Sequence, residues 1–326
     1  MRFGLRSVVV LVLCLLTSFQ SAWGWNSIGH MAVAYVAFQH LTPKQQMRVS
    51  ALLRHNPDYK YWSANLPANT SRKDKRAYIF MLAATWPDLI KGTIKGYKDD
   101  GNDAPATPQA TLNEGYRDKF MHKYWHYVDV PFSPDGTPLV PTPAVNAQTQ
   151  IAALRKDLAS DEGDSLKSYD LVWLEHLVGD VHQPLHCTSR FTADSITGDQ
   201  GGNLVKIDVD AKRLHTYWDD LLGNSDRKDS GAVAIASDLA TTLTAAKQLG
   251  DADPTAAADL NEADWVNESF ELDKSSVYVN PPIGIGLGPF AVSASPDYAT
   301  NSLAIAKKRV ELAGVRLAGV INAELK

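Results

Sequence analysis

Apolar residues recur at helical spacing along most of the chain, while polar residues, proline and glycine separate the periodic stretches. This pattern predicts helices over 28–41, 42–55, 76–94, 111–127, 146–158, 168–181, 214–222, 230–249, 255–274 and 297–324. Thr42-Pro43 reads as an N-cap followed by proline at the first helical position, and Pro87 interrupts the third stretch.

Apolar and polar residues alternate over 204–210, which predicts a short strand forming half of a hairpin. Residues 99–110, 131–143 and 283–289 are rich in turn formers and are predicted loops. The expected fold class is therefore all-α: a mainly helical single domain with a small β-hairpin.

The N-terminus differs from the rest of the chain. Arg2 and Arg6 precede an apolar run over 8–16, and Ala22-Trp23-Gly24 supplies small residues before a cleavage point. This predicts a signal peptide over 1–24, a single domain over 25–326, and a secreted or periplasmic protein. The run is far shorter than the roughly 20 residues that span a bilayer, so the mature chain is expected to have no membrane span.

Composition and charge narrow the function. The 326 residues are 44% hydrophobic and 21% charged, which suits an ordinary globular core. Loss of two arginines with residues 1–24 would change the formal net charge from −5 to −7. The net acidity argues against general electrostatic binding of nucleic acid, so bound cations would have to supply the positive charge that faces any phosphate substrate.

The densest chemistry lies in His-Leu-Val-Gly-Asp-Val-His-Gln-Pro-Leu-His, residues 176–186. His176 and Asp180 are four residues apart, so on a helix they share one face. His186 follows Pro184, where a helix must kink or end. Imidazole and carboxylate together suit Zn²⁺, and because the surrounding positions are apolar, an unpaired aspartate there would cost several kcal/mol.

His215 and Asp219 repeat the spacing of four between apolar and aromatic neighbours, which suggests more than one metal. His126 and Asp88 are weaker candidates when taken alone. Four other histidines are read as structural or surface residues, although His182 lies between two candidate ligands and could instead support them; the four are His40, His55, His122 and His182.

Several motifs together make a family resemblance visible. In chain order they are Trp-Asn-Ser-Ile-Gly-His from Trp25, Trp-Pro-Asp, His-Tyr-Val-Asp, the histidine stretch, Gly-Gly-Asn and His-Thr-Tyr-Trp-Asp. The mature chain resembles the secreted zinc-dependent single-strand nucleases of fungi and plants (type I nucleases, S-one/P-one type) and their bacterial relatives. The absence of disulfides, with Cys187 the one cysteine after residue 24, favours a bacterial member.

The resemblance implies an all-α fold shared with zinc-dependent phospholipase C, and three zinc ions. Carried over by motif, the first zinc would be held by Asp88, His126, His176 and Asp180, the second by His186, His215 and Asp219, and the third by His30, Asp180 and the α-amino nitrogen and carbonyl oxygen of Trp25. Because an amide nitrogen binds metal poorly, the resemblance also implies an inactive precursor until the chain is cut before Trp25.

The same resemblance implies a mechanism in which metal-activated water attacks phosphorus and zinc stabilises the leaving 3′ oxygen. Asp88 and Asp180 would take part through the metals. Lys91 would be the transition-state cation, against the alternative of a solvated surface lysine. Asp129 and Asn203 would bind the base edge, and Tyr127 would either stack on the base or belong to the core.

The expected function is hydrolysis of RNA, single-stranded DNA and 3′-nucleotides to 5′-phosphorylated products or nucleosides by a monomeric enzyme, with duplex DNA an open question. A phospholipase C-like phosphodiesterase on the same scaffold is one alternative, but Asp129 with Asn203 favours the nuclease. A non-catalytic zinc-binding periplasmic protein is the other, but a second site with only three protein ligands favours catalysis.

Overall fold

The fold is almost entirely helical in the computed structural model, which describes residues 25–225 and 231–326. The helices are α1 (Ser27–His40), α2 (Pro43–Leu52), α3 (Tyr59–Ala64), α4 (Arg72–Ala83), α5 (Trp86–Leu89), α6 (Ala147–Ala159), α7 (Asp164–Asp180), α8 (Leu214–Asp219), α9 (Ala232–Ala246), α10 (Pro254–Ala258), α11 (Glu262–Leu272) and α12 (Pro296–Glu324). Two strands, β1 (Val130–Phe132) and β2 (Thr188–Arg190), complete the regular elements. The all-α prediction is confirmed.

Side-chain caps explain where the longer helices begin. The Asn26 carboxamide accepts from the backbone N–H groups of Ile28 and Gly29, and the Thr42 hydroxyl accepts from Gln45. Ser71 caps α4 in the same way, so this helix begins before the predicted residue 76. Each such cap stabilises its helix by about 1 kcal/mol.

Helix α1 is the centre of the packing, since it contacts α4, α7, α9 and α12. Helix α7 is buried along nearly its whole length and packs against α6, α2 and α12. A smaller apolar cluster around Leu185, Val205 and Trp218 supports the segment that follows α7. The polar side chains of α7 therefore lie in the interior of the protein, where they need partners.

The prediction of a strand over 204–210 is wrong. That segment makes only single bridges, Lys206 with Arg213 and Ile207 with Phe290, because it turns back after too few residues to build a ladder. The two strands that do form pair in parallel, with Val130 opposite Thr188. β1 lies where the sequence predicted a loop, and β2 lies just after the histidine stretch. Their pairing joins the segment that contains His126 to the segment that contains His186.

The predicted helix over 111–127 is also wrong. Only short 3-10 turns form there, at Gly115–Arg117 and Lys123–His126. Gly115, Lys119 and His122 all have positive φ, which an α-helix excludes. The stretch over 255–274 is two helices rather than one, since Asn261 starts α11 as a new N-cap, and α3 was not predicted.

The predicted signal peptide lies outside the described residues. Within the part of the chain that the structure describes, none of the helices combines the length and apolarity needed to cross a bilayer.

His122 holds the loop that precedes the His126 segment. Its ring stacks on Trp125 with a centroid distance of 3.9 Å. Its Nε2 lies 2.9 Å from Asp118 Oδ2 and its Nδ1 lies 3.2 Å from Asp100 Oδ2, with the Tyr124 hydroxyl also near Nδ1. Burial alone would lower the pKa of His122, but the hydrogen bonds to Asp100 and Asp118 outweigh it, so the net pKa is raised.

A pH-dependent loss of stability is expected for His122→Asn. A raised folded-state pKa means that the stabilisation is complete below the unfolded value of about 6.5 and is lost as the pH rises through the folded value. The variant should be destabilised by about 3 kcal/mol at pH 6 and by clearly less at pH 9, measured by urea unfolding. His40→Asn, at an exposed position, is the control. Equal destabilisation at both pH values would contradict a charged His122.

Candidate metal centre

Helix α7 and the turn after it supply three of the predicted ligands. His176 and Asp180 occupy one face of α7, and His186 lies in the 3-10 turn Pro184–Cys187. All three side chains are fully buried. The remaining candidates come from α1, α5, the turn Lys123–His126 and α8, and they converge on this face of α7.

The first group brings together Asp88, His126, His176 and Asp180. His176 Nε2 lies 3.5 Å from Asp88 Oδ1 and 3.3 Å from Asp180 Oδ2. His126 Nδ1 lies 3.0 Å from both His176 Nε2 and Asp180 Oδ2. The structure thus brings together, around a common point, one donor atom from each of the four side chains that the family resemblance implies as ligands of one metal.

The second group consists of His186, His215 and Asp219. His215 Nε2 lies 3.2 Å from His186 Nε2 and 3.5 Å from Asp219 Oδ2. Gln183 Nε2 donates to the other oxygen of Asp219 at 2.8 Å, which orients this carboxylate. Three protein donors leave room for a further ligand, as in sites where water or substrate binds.

His30 approaches the same centre from α1. Its Nε2 lies 3.4 Å from Asp180 Oδ1, the oxygen that does not face the first group. A Cβ atom at Gly179 would lie 2.9 Å from His30 Nδ1, so only glycine lets the ring come this close to α7. The same Cβ would lie 3.9 Å from Trp25 Cδ1, which places the buried Trp25 beside His30.

Backbone carbonyls set the orientation of three histidines. The Nδ1 atoms of His176, His186 and His215 lie 2.7, 2.7 and 2.6 Å from carbonyl oxygens, which belong to Ala84, His126 and Gly201 respectively. Because a carbonyl only accepts, each Nδ1 carries the proton and each Nε2 presents a lone pair. The lone pairs of His186 and His215 consequently face each other, an arrangement that a metal ion between the two nitrogens would stabilise.

Electrostatics agrees with that arrangement. Burial lowers the pKa of His126, His176 and His186 well below its ordinary value, so these rings are neutral, which is their metal-binding form. Burial, then the neighbouring Asp88, raises the pKa of Asp180 well above its ordinary value. Asp180 Oδ1 and His126 Nε2 are buried with no hydrogen-bond partner.

The donor set fits zinc. Two atoms bound at about 2.0–2.1 Å to one tetrahedral zinc lie about 3.3 Å apart, close to the donor–donor separations in the first and second groups. Among the described residues, His30, His176 and Asp180 form one candidate cluster, Asp88, His126 and His176 a second, and His186, His215 and Asp219 a third. A fourth cluster, Asp157, Glu162 and Asp170, has no histidine and shares no residue with these.

Lys91 is not a solvated surface lysine. It is 8% exposed, and its Nζ lies 2.6 Å from Asp88 Oδ1. The side chain therefore adds a positive charge to the edge of the first group.

The predicted substrate-binding residues lie around the second group. The Tyr127 ring is partly exposed and stacks on His186 with a centroid distance of 4.9 Å. Asp129 has φ of +50° and is partly exposed; burial, then Asp103 and Asp199, raises its pKa to about 7. Asn203 follows the Gly-Gly turn, and its amide donates to Gln200 O at 2.8 Å.

Sequence reasoning missed the groups that orient the ligands. Gln183 lies inside the histidine stretch and could have been singled out there, but carbonyl groups leave no trace in a sequence. A Cβ atom at Gly201, which has φ of +56°, would lie 2.2 Å from Leu185 O, so this turn requires glycine to bring its carbonyl to His215. His182 supports packing instead, since its ring contacts Val178 O and Arg316 of α12.

Fold and site together define a helical protein with clustered histidine and aspartate groups suited to metal. The sequence profile of the S1/P1 Nuclease family matches residues 25–326, and the chain belongs to this family of metal-dependent nucleases, which has the phospholipase C/nuclease-like all-α fold. The chain is 24% identical to Endonuclease 3 of Arabidopsis thaliana, over 99% of this chain and 96% of the relative. It is also 24% identical to Endonuclease 1 of that plant, over 98% and 93%.

Proposed function

We propose that the protein is a secreted zinc enzyme that hydrolyses RNA and single-stranded DNA to 5′-phosphorylated products and also removes phosphate from 3′-nucleotides. The observation that carries the proposal is the shared carboxylate of Asp180, which has one oxygen toward the first group and the other toward His30. Endonuclease relatives that match nearly the full chain support a polynucleotide substrate.

Three zinc ions would be held as follows: the first by Asp88, His126, His176 and Asp180, the second by His186, His215 and Asp219, and the third by His30, Asp180 and the N-terminal Trp25. When bound, they supply the positive charge that acidifies a water molecule and stabilises the anionic oxygens of a phosphodiester. The reaction breaks the bond between phosphorus and O3′ and forms one between phosphorus and the oxygen of water.

The chain's own residues bind and orient the substrate. Lys91, held by Asp88, would stabilise the negative charge that grows on the phosphate. Tyr127 offers an aromatic face beside His186 for an unstacked base, a contact worth roughly 1–3 kcal/mol. Asp129 would accept from an exocyclic amine, and Asn203 would both donate and accept. A base reaches such groups only when it is splayed out, which favours single strands.

The test is a metal count on the mature protein combined with hydrolysis of RNA and 3′-AMP, with and without a chelator. Three zinc ions and chelator-sensitive release of nucleotides are expected. Release of choline phosphate from lecithin without cleavage of RNA would favour a phospholipase C-like enzyme. Bound zinc without hydrolysis of any phosphate ester would favour a non-catalytic zinc protein.

Replacement of Lys91 should separate catalysis from metal binding. We expect Lys91→Met to lower kcat on RNA by about 10²–10³-fold with zinc content unchanged, because removal of one preorganised cation costs this much. Lys91→Arg should restore part of the rate. Lys95→Met is the control, since that lysine is exposed and donates to Gly92 O in the same segment. A fall in zinc content that parallels the fall in rate would mean that Lys91 only supports Asp88.

A further inference from the structure

A basic cavity lies away from the metal centre, between the end of α2, α3 and the first turns of α4. Its volume is about 410 Å³, and its lining includes four cationic side chains and one tyrosine: Arg54, Tyr59, Arg72, Lys75 and Arg76. Arg72, Lys75 and Arg76 are spaced by three and four residues, so they share one face of α4. Four positive charges thus surround one concavity.

These charges have no carboxylate counterpart. No aspartate or glutamate lines the cavity, and none of the ion pairs found in the described ranges involves Arg54, Arg72, Lys75 or Arg76. The two acidic residues nearest in sequence, Asp58 and Asp74, do not line the cavity. They accept from Trp86 Nε1 and from the Ser71 hydroxyl, which are neutral donors and leave both carboxylate charges in place. Four cationic side chains against these two carboxylates give the cavity a net positive charge.

The local charge opposes that of the whole chain. The protein has a formal net charge of −5, so a concentration of four cations forms a distinct positive field. Arg72 is also the first residue of α4, where the partial charge of the helix terminus adds to the field. Exposed or half-exposed guanidinium groups are the preferred partners of phosphate oxygens.

We propose that this basic cavity binds backbone phosphates of a single-stranded polynucleotide whose scissile bond occupies the metal centre. Helix α4 connects the two places, because Arg72 begins it and Ala84, directly after it, accepts a hydrogen bond from His176. At 1.5 Å per residue these ends lie about 18 Å apart. A stacked strand advances about 3.4 Å per nucleotide, and because the second half of α4 is buried the strand must pass over the surface, so at least about six nucleotides are needed to reach both.

This inference rests on the proposed function for its substrate, but binding can be tested without turnover. The test variant combines Arg72→Gln and Arg76→Gln. The control combines Lys247→Gln and Lys308→Gln, which removes the same charge from exposed positions directly after α9 and on α12. Two readouts are compared on the zinc-loaded protein. The first is hydrolysis of a 20-nucleotide single strand and of 3′-AMP, and the second is fluorescence anisotropy of a labelled strand of the same length with non-hydrolysable phosphonate linkages.

The cavity variant should raise KM for the 20-nucleotide strand about tenfold and leave kcat/KM for 3′-AMP unchanged, while the control changes neither. The slope of log affinity against log salt should fall by about 1.4, since each lost phosphate contact on a single strand contributes about 0.7. Equal effects of both variants would overturn the proposal. It would also be overturned if millimolar inorganic phosphate displaced strands of every length from the cavity equally well.

If no variant hydrolyses nucleic acid, the proposed function fails, and the anisotropy measurement still decides whether the cavity binds a strand. If hydrolysis occurs but the cavity variant has the same KM as the control for strands of every length from 2 to about 20 nucleotides, only the cavity proposal is wrong.

Discussion

Asp180→Asn is expected to remove two zinc ions and to lower nuclease activity by about 10³-fold or more. Asp180 Oδ2 faces His126 and His176, whereas Oδ1 faces His30. An asparagine offers one neutral oxygen in place of two anionic ones, so neither group keeps its full donor set. Zinc content by elemental analysis and kcat on RNA are the measurements.

The matched control is Asp164→Asn at the other end of α7. Asp164 pairs with Arg48 at 2.8 Å and is far more exposed, so this change should leave zinc content and rate intact. Far-UV circular dichroism should show the native helical content in both variants. Loss of a single zinc from Asp180→Asn would show that Asp180 does not serve two sites.

A chain that starts at Gly24 is expected to bind two zinc ions rather than three and to lose about 10²-fold or more in activity. The added residue turns the α-amino group of Trp25 into an amide, which lacks the lone pair that a metal needs. A free α-amino group has a pKa near 8, so deprotonation on metal binding is easy. Trp25 is buried beside His30, and the backbone N–H of Asn26 donates to Asp219 O at 3.3 Å, which holds this terminus at the centre.

The comparison needs two chains that differ by one residue, one starting at Gly24 and the other at Trp25. Removal of Gly24 by an aminopeptidase should restore both the third zinc and the rate. Full activity with three zinc ions in the longer chain would contradict a role for the α-amino group.

Helical spacing made half of the centre predictable. His176 and Asp180 are four residues apart, and so are His215 and Asp219. Residues at this spacing in an α-helix lie on the same face. His30 gave no such signal, because its partner belongs to a helix distant in the sequence, and only the family motif indicated it. Lys91 could not be distinguished from a surface lysine until its burial next to Asp88 was visible.

Local patterns failed where tertiary contacts override propensity. Residues 111–127 have helical composition, yet His122 takes a left-handed conformation to reach Asp100 and Asp118. Residues 204–210 alternate like a strand, yet no partner lies alongside for more than one residue. The carbonyl groups of Ala84, His126 and Gly201, which orient three of the histidines, belong to the backbone. Every residue type has such a carbonyl, so the sequence does not show which residues use it in this way.

The donors of the centre come from segments between Trp25 and Asp219, and most of them are buried. No disulfide ties these segments together within the described residues, where Cys187 is a free cysteine. Bound metal would close several long loops at once, as a cross-link does, and loop closure restricts the unfolded chain most when the loops are long. A ligand of the folded state shifts the unfolding equilibrium by mass action. If zinc binds as proposed, the resistance of the protein to proteolysis would therefore follow the supply of free zinc, and scarcity of the metal would expose the chain to proteases as well as stop its chemistry.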